Sequence, residues 1–246
     1  MDNTSRRIAD YAVAMQQGPL PGGSADAVTR HLIDSVACAF GALGARPARV
    51  ARTIAGTASS SAGASVFGLA QPTTPEYATF ANTVMVRYLD YNDTGNGGHP
   101  SDMMSGVLAL GEARGASGAE VILAIHAAYE TYAAIRRGGL YGNLLRNKHV
   151  DQIYATLGAV VGAGVILGLD HERMGHAIAL ALTPNIPMRV TRTGLISDWK
   201  GCATAHGTMN AVFAARLAEQ GLTGPDRPFE GLAAFYQMLG IPPLDL

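Results

Sequence analysis

Residues 74–110 read TPEYATFANTVMVRYLDYNDTGNGGHPSDMMSGVLAL, and this stretch indicates the fold class. Its first half is typical of a helix, because Thr74 can act as an N-cap and Pro75 is tolerated at the first helical position. A glycine-rich polar segment then interrupts the apolar pattern, and Pro100 is well placed to open another helix. The stretch therefore predicts two helices that are joined by a polar loop.

Similar helical signals recur on both sides of this stretch. Ser24 can cap a helix whose apolar residues follow a 3.6-residue period, and Ser117 with Glu120 has the spacing of a capping box. Asp170 can cap a further helix, and a last long helix is predicted to start near Lys200. The chain is therefore expected to be helical on both sides of the loop.

Strand signals are weak throughout the chain. Residues 65–68 are the one short strand candidate, and three segments are expected to be irregular: 57–63, 92–100 and 138–148. We predict an all-α fold in which residues 1–224 form a large helical domain. Residues 225–246 are proline-rich and loosely patterned, so we expect a connection toward a further domain.

The composition excludes several classes of protein. Hydrophobic residues make up 48% of the 246-residue chain and the net charge is −1, which predicts a folded core and gives no sign of nucleic-acid or membrane-surface binding. The most apolar stretch, residues 157–169, is too short to span a bilayer. Cys38 and Cys202 lie in apolar helical patterns, so we expect reduced thiols and a cytoplasmic protein. Separately, the N-terminal sequence predicts no signal peptide.

The polar loop carries candidate acid–base residues. Asp90 and Thr94 are four residues apart, so they share a face if the first helix continues that far. His99 precedes Pro100 and is expected at a helix N-terminus, where exposed N–H groups favour an anionic ligand such as a carboxylate.

Two other interpretations of this loop stay open. It can be a polar connection that only caps the flanking helices, or Asp90, Asp93, His99 and Asp102 can form a transition-metal site. A calcium-binding EF-hand loop is excluded because Ser101 stands where a bidentate glutamate is needed.

Lys200 and His149 are weaker candidates when they are considered alone. A lysine at a helix start opposes the helix dipole at a cost of roughly 0.3–1 kcal/mol, and such local conflicts are typical of functional positions. Without further support, however, Lys200 is a solvated lysine and His149 is a structural or surface histidine.

Several motifs, taken together, resemble the MmgE/PrpD family, which includes 2-methylcitrate dehydratase, cis-aconitate decarboxylase and iminodisuccinate epimerase. The similar segments are RYLDYNDT (87–94), GHPSD (98–102), LIDS (32–35), FANT (80–83), LGLD (167–170), WKGCA (199–203), GP (224–225) and FEG (229–231). They occur in the family's order over nearly the whole chain. The resemblance is specific for the family and much less specific for the substrate.

The resemblance implies a set of site residues. The acid–base residues would be Asp90, Thr94, His99, His149 and Lys200. The substrate carboxylates would be held by Lys200, Arg137, Arg146, Ser101 and Gln152. The residues after His149 depart from the usual small ones, so Gln152 can instead occupy the place of the second histidine.

The resemblance also implies a function and partners. It implies cofactor-independent and metal-independent lyase chemistry, with dehydration of a 2-methylcitrate-like hydroxy-tricarboxylic acid as the first expectation. Decarboxylation, epimerisation and a non-catalytic helical subunit are the alternatives. The family's smaller α/β lid domain is absent from this chain, so we expect a split enzyme completed by a lid-domain subunit, with a homodimer formed through the helical domain.

Overall fold

The protein is described here from a computed structural model, which covers residues 1–95, 98–140, 142 and 153–246. Ten α-helices lie in these residues: α1 Asn3–Gln17, α2 Ser24–Gly41, α3 Arg46–Ala55, α4 Pro75–Tyr88, α5 Met104–Arg114, α6 Gly118–Ile135, α7 Ile153–Ile166, α8 His171–Leu182, α9 Ala203–Glu219 and α10 Phe235–Leu239. One strand, β1, covers Ser59–Ala64. The predicted all-α fold is confirmed.

Two of the predicted helix starts form the expected side-chain hydrogen bonds, whereas the predicted cap at Ser24 is wrong, because Ser24 is the first residue of α2 and Gly23 is the N-cap. Ser117 and Glu120 form the complete capping box of α6, and the Asp170 side chain accepts a hydrogen bond from the N–H of Arg173 at the start of α8. Thr74 is the N-cap of α4 and Pro75 opens it. The last long helix starts later than expected, because Asp198–Gly201 forms a 3-10 turn before α9.

The strand prediction is wrong in position. The strand covers Ser59–Ala64, within a segment expected to be irregular, and it is joined to Thr73 by isolated bridges. Residues 65–68 do not pair as a strand, because the side chain of Asn82 bonds both the carbonyl of Ser65 and the N–H of Phe67. A side-chain amide thus takes the backbone groups that a neighbouring strand would need.

The central core lies where α7 packs against α6, α8 and α9. Every residue of α7 from Ile153 to Val165 is buried, and its glycines let neighbouring helices approach closely. A Cβ atom on Gly162 would lie 2.9 Å from Ala128 Cβ and 3.1 Å from the carbonyl oxygen of Ala124. A larger residue at Gly162 would therefore push the two helices apart.

Replacing Gly158 with alanine is expected to destabilise the fold. The new methyl group would meet Met103 Sδ and would lie 2.8 Å from the carbonyl oxygen of Ala128, a backbone atom that cannot move aside cheaply. We expect a loss of about 1–3 kcal/mol in unfolding free energy, measured by urea denaturation. Gly118→Ala is the control, because that position opens into empty space. Equal stability of the two variants would contradict the packing.

Residues after 224 pack against the N-terminal helix. The Asp2 side chain accepts hydrogen bonds from the N–H groups of Phe229 and Glu230, and Phe229 is completely buried in the main core. Tyr236 also lies in this core, where its hydroxyl accepts from the N–H of Leu244. These contacts join the segment to the helical domain, and the domain boundary expected at residue 224 stays a prediction.

None of the helices in the described ranges has the length and apolarity needed to cross a membrane. Cys38 and Cys202 are both free and buried.

Candidate active site

The candidate site is built where the end of α4 meets the turn before α9. Helix α4 ends at Tyr88, and Asp90 follows with a φ of 56°, in the left-handed region that non-glycine residues seldom adopt. The expectation that Asp90 and Thr94 share a helical face is therefore wrong. The left-handed turn instead directs the Asp90 carboxylate back to Arg87, with which it pairs.

Asp90 is the meeting point of the site. Its Oδ2 accepts a hydrogen bond from Lys200 Nζ at 2.9 Å, and its Oδ1 lies 3.4 Å from Nε2 of His99. Burial alone would raise the pKa of Asp90, but hydrogen bonds and charge from Arg87 and Lys200 outweigh it and hold the pKa well below its usual range. Asp90 is therefore a carboxylate at neutral pH. Three residues predicted from the sequence thus come together.

The other ring nitrogen of His99 has a neighbour of its own, and that neighbour bears on the tautomer. Nδ1 lies 3.2 Å from the carbonyl oxygen of Asn92. A carbonyl oxygen can only accept, so this contact requires a hydrogen on Nδ1 and leaves the lone pair on Nε2. Nε2 can then take up a proton, and the nearby Asp90 carboxylate stabilises the imidazolium that forms.

The pH dependence of the reaction should reflect the environment of His99. Burial, followed by the charge of Arg87, lowers the pKa of His99, although the Asn92 carbonyl, Asp90 and Asp93 oppose the shift. A base must be unprotonated, so kcat/KM should hold at mildly acidic pH and fall only below the ordinary histidine range. A pH–rate profile of the active assembly measures this limb. An acidic limb centred above the ordinary histidine pKa would contradict the assignment.

A buried ion pair lies beneath these residues. Arg87 is 3% exposed, and its Nε lies 3.3 Å from Oδ2 of the fully buried Asp102. Asn92 donates from Nδ2 to Asp102 Oδ1 at 3.0 Å and to Ser101 Oγ at 2.8 Å. Ser101, expected to bind substrate, is thus buried, and its hydroxyl accepts a hydrogen bond within the protein; its substrate role stays a prediction.

A second polar cluster lies beside the first and contains Thr94 and Arg137. Both line a cavity of about 240 Å³ together with His31, Tyr129 and Arg136. Neither residue is among the partners of Asp90 or His99 described above. Their catalytic and substrate-binding roles stay predictions, attached to this neighbouring cavity.

Asp93 organises the wall of that smaller cavity. It accepts hydrogen bonds from the Tyr129 hydroxyl at 2.8 Å and from the N–H of Ser101 at 2.9 Å, and it lies 3.5 Å from His31 Nδ1. His31 lines the cavity beside this carboxylate. Burial, and then the charge of Asp93, raises the pKa of Tyr129, so its hydroxyl stays protonated and donates.

A larger cavity of about 730 Å³ adjoins the turn that carries Lys200. Its walls include Trp199 and Leu195 on the segment before α9, Thr156 on α7 and His206 on α9. Leu195 is fully exposed. The cavity gives a mainly apolar volume next to the cationic side chain.

The remaining sequence candidates lie outside the described residues: His149, Arg146 and Gln152. Within the described residues, no three His, Cys, Asp or Glu side chains are grouped so that they could hold a metal ion. The alternative of a site made by Asp90, Asp93, His99 and Asp102 therefore gains no support, since Asp90 and Asp102 pair with cations instead.

Sequence reasoning missed two residues that shape this site, Arg87 and Asn92. Arg87 stands three residues before Asp90 in the last turn of α4, and this spacing is a known ion-pair signal on helices. Asn92 gave no comparable signal, because its role combines a side-chain amide and a backbone carbonyl that face different partners.

The fold and the site together define a class: an all-helical domain in which an imidazole and an ammonium group contact one carboxylate. The chain belongs to the MmgE/PrpD family, since the sequence model of the MmgE/PrpD N-terminal domain matches residues 6–243.

Curated relatives include enzymes of two named activities. The chain is 31% identical to human cis-aconitate decarboxylase over 66% of this chain and 35% of that protein. It is 32% identical to 2-methylcitrate dehydratase of Escherichia coli over 61% of this chain and 33% of that protein. With 2-methylcitrate dehydratase of Cupriavidus necator it shares 30% identity over 88% of this chain and 47% of that protein. The chain thus spans between a third and a half of these relatives.

Proposed function

We propose that this chain supplies the base-bearing helical half of a lyase that acts on a carboxylate substrate, most simply by dehydrating a 2-methylcitrate-like hydroxy-tricarboxylic acid. A lid domain would complete the site, carried by a second polypeptide or by a longer form of the chain. A homodimer formed through the helical domain and a cytoplasmic location belong to the same proposal. Enzymes with the dehydratase name recur among the relatives.

One observation supports the proposal most: His99 Nδ1 lies against the Asn92 carbonyl, which favours a free lone pair on Nε2 beside an ionised carboxylate. A C–H bond next to a carboxylate is weakly acidic, because removing its proton adds charge to an existing anion. A positioned base contributes on the order of 10²–10⁴ in rate for such a step.

The elimination balances as follows. His99 Nε2 takes the proton from the carbon next to a carboxylate, and the C–H electrons form a carbon–carbon double bond. The hydroxyl on the neighbouring carbon leaves with its bonding electrons and is protonated to water. His149, outside the described residues, is the candidate for this second proton transfer.

Lys200 supplies the positive charge that this chemistry needs. Its Nζ reaches Asp90 at 2.9 Å, and its side chain is about one third exposed, so an incoming carboxylate can approach it from the open side. Charge that develops on the substrate carboxylate during proton removal is stabilised by such a fixed cation. The larger cavity beside Trp199 can take the rest of the substrate.

The direct test supplies the active assembly with 2-methylcitrate and, separately, with cis-aconitate. We expect an unsaturated acid and water from 2-methylcitrate and no CO₂ from either compound. Release of CO₂ from cis-aconitate would instead support decarboxylation, which the human relative's name makes the second candidate. Inertness toward both acids, with the lid domain present, would favour a non-catalytic helical subunit.

A further inference from the structure

We propose that Asp102, a buried residue remote from the open side of the site, is a positioning residue that fixes the base His99 through two separate connections. One connection runs through Arg87 and Asp90 to Nε2 of His99, and the other runs through Asn92 to Nδ1. The catalytic consequence rests on the proposed function, whereas the positioning itself can be measured without turnover.

The first connection depends on the shape of the Arg87 side chain. Its Nε lies 3.3 Å from Asp102 Oδ2, an ion pair that lacks hydrogen-bond geometry, while its Nη1 donates to Asp90 Oδ1. A guanidinium is a rigid planar fork, so holding one edge against a buried carboxylate fixes where the other edge points. Arg87 therefore holds Asp90 in its left-handed turn, with the carboxylate against Lys200 and His99.

The second connection uses both halves of one residue. The Asn92 side chain donates to Asp102 Oδ1 at 3.0 Å, and the Asn92 backbone carbonyl accepts from His99 Nδ1 at 3.2 Å. Asn92 is 1% exposed. Since its amide is anchored on Asp102, its carbonyl is held in the position that selects the His99 tautomer.

Asp102 is itself well anchored between helices. Its backbone carbonyl accepts hydrogen bonds from Thr83 Oγ1 on α4 and Thr208 Oγ1 on α9, each at 3.3 Å. Helix α4, helix α9 and the polar loop thus meet at one residue with no exposed surface. Asp102 is therefore held rigidly, and a catalytic base must be held in position by rigid neighbouring residues.

Charged side chains surround both Asp102 and His99 and affect the pKa of each. Asp102 is influenced by Arg87, Asp93 and Arg192, and it in turn acts on Tyr129 and Tyr132 of α6. Burial raises the pKa of Asp102 to about 7, against the opposing charge of Arg87.

The groups that act on His99 are Arg87, Asp90 and Asp93, with Lys200 paired to the same carboxylate. Because the pKa of Asp102 is about 7 and the pKa of His99 is lowered, Asp102 is mostly neutral where His99 titrates. Above about pH 8 Asp102 is ionised and His99 is neutral, so the positioning is measured there.

The test is Asp102→Asn, which keeps the size of the side chain and an acceptor for Asn92. The His99 imidazole is followed by NMR in histidine-labelled protein across pH. The asparagine has a single acceptor for two donors, Arg87 Nε and Asn92 Nδ2, so one connection is broken. We expect the nitrogen-15 shifts of the neutral His99 ring, read above about pH 8, to move away from the pure Nδ1–H tautomer toward a mixture of tautomers. In the active assembly, kcat should fall by roughly 10- to 100-fold with KM little changed, because a displaced base slows chemistry more than binding.

The matched control is Glu76→Gln. Glu76 pairs with Arg216 and so joins α4 to α9 as Asp102 does, but it lies about 16 Å from Arg87 along the helix. Its loss should leave the nitrogen-15 shifts of His99 unchanged. Unchanged His99 shifts above about pH 8 in folded Asp102→Asn protein would overturn the proposal, whereas changed shifts in a protein without lyase activity would overturn only the proposed function.

A second measurement needs no substitution in Asp102. Arg87 held between two carboxylates should show separate, slowly averaging guanidinium resonances in nitrogen-15 spectra of the unmodified protein, assigned by comparison with Arg87→Lys. Rapid averaging of these resonances would show that Arg87 is not held, and it would overturn the proposal even where Asp102→Asn fails to fold.

Discussion

Replacing His99 with glutamine is expected to lower kcat/KM by about 10³-fold, within the range that a positioned base contributes. Glutamine keeps a polar side chain in the loop, but it has no nitrogen that takes up a proton near neutral pH. His99 is largely buried, and both of its ring nitrogens have defined neighbours, Asn92 and Asp90. The loss should appear in steady-state kinetics of the assembly with its lid domain.

The control for His99 is His126→Gln, which changes a histidine on α6 that has no assigned role in the site. Circular dichroism and the unfolding midpoint should show both variants folded. If His99→Gln protein turned over substrate as fast as the His126→Gln control, a different group would have to be the base.

Replacing Lys200 with methionine is the second large effect, with an expected loss of about 10²–10³ in kcat, typical of removing one group that stabilises developing charge. Methionine preserves most of the length and apolar volume of the side chain while removing the ammonium group. Asp90 would keep Arg87 as a partner, so the turn after α4 should survive. Steady-state kinetics over a range of substrate concentrations separates this loss from weaker binding.

Arg46→Met provides the comparison for Lys200. Arg46 pairs with Asp198, and Asp198 stands two residues before Lys200 in the same 3-10 turn. The Arg46→Met variant therefore tests the loss of a nearby surface cation. Its turnover should be close to that of the unmodified protein, because exposed ion pairs contribute little. Equal losses in the two variants would mean that general surface charge, not Lys200, supports the reaction.

Helix positions could be predicted because their signals are local. The capping box of Ser117 and Glu120, the N-cap at Asp170 and the Thr74–Pro75 start each depend on residues within one turn. Fold class follows from these signals together. The strand Ser59–Ala64 could not be predicted, because its small residues carry no alternating pattern and its bridges reach only Thr73.

The sequence predicted which residues belong to the candidate site better than it predicted how they are arranged. Motif resemblance selected Asp90, His99 and Lys200, and the structure brings these three together across 110 residues of sequence. The left-handed turn at Asp90 could not be foreseen, since a non-glycine residue seldom adopts it. Thr94 accordingly lies beside a neighbouring cavity and not on the face of Asp90.

The buried contact between Arg87 and Asp102 could not be predicted from the sequence. Arg87 and Asp102 look like an ordinary surface arginine and a loop aspartate in the sequence, yet one is 3% exposed and the other fully buried. Only the folding of α4 against the loop and α9 brings them together.

The proton taken by His99 can be followed directly by isotope exchange. The active assembly is incubated in D₂O with the hydroxy-tricarboxylic acid, and the recovered acid is analysed by NMR at the carbon that loses its proton. Stereospecific deuterium at that carbon with the unmodified protein, and none above background with His99→Gln, is the predicted result. Equal deuterium incorporation by both proteins would contradict the assignment of Nε2 of His99 as the base.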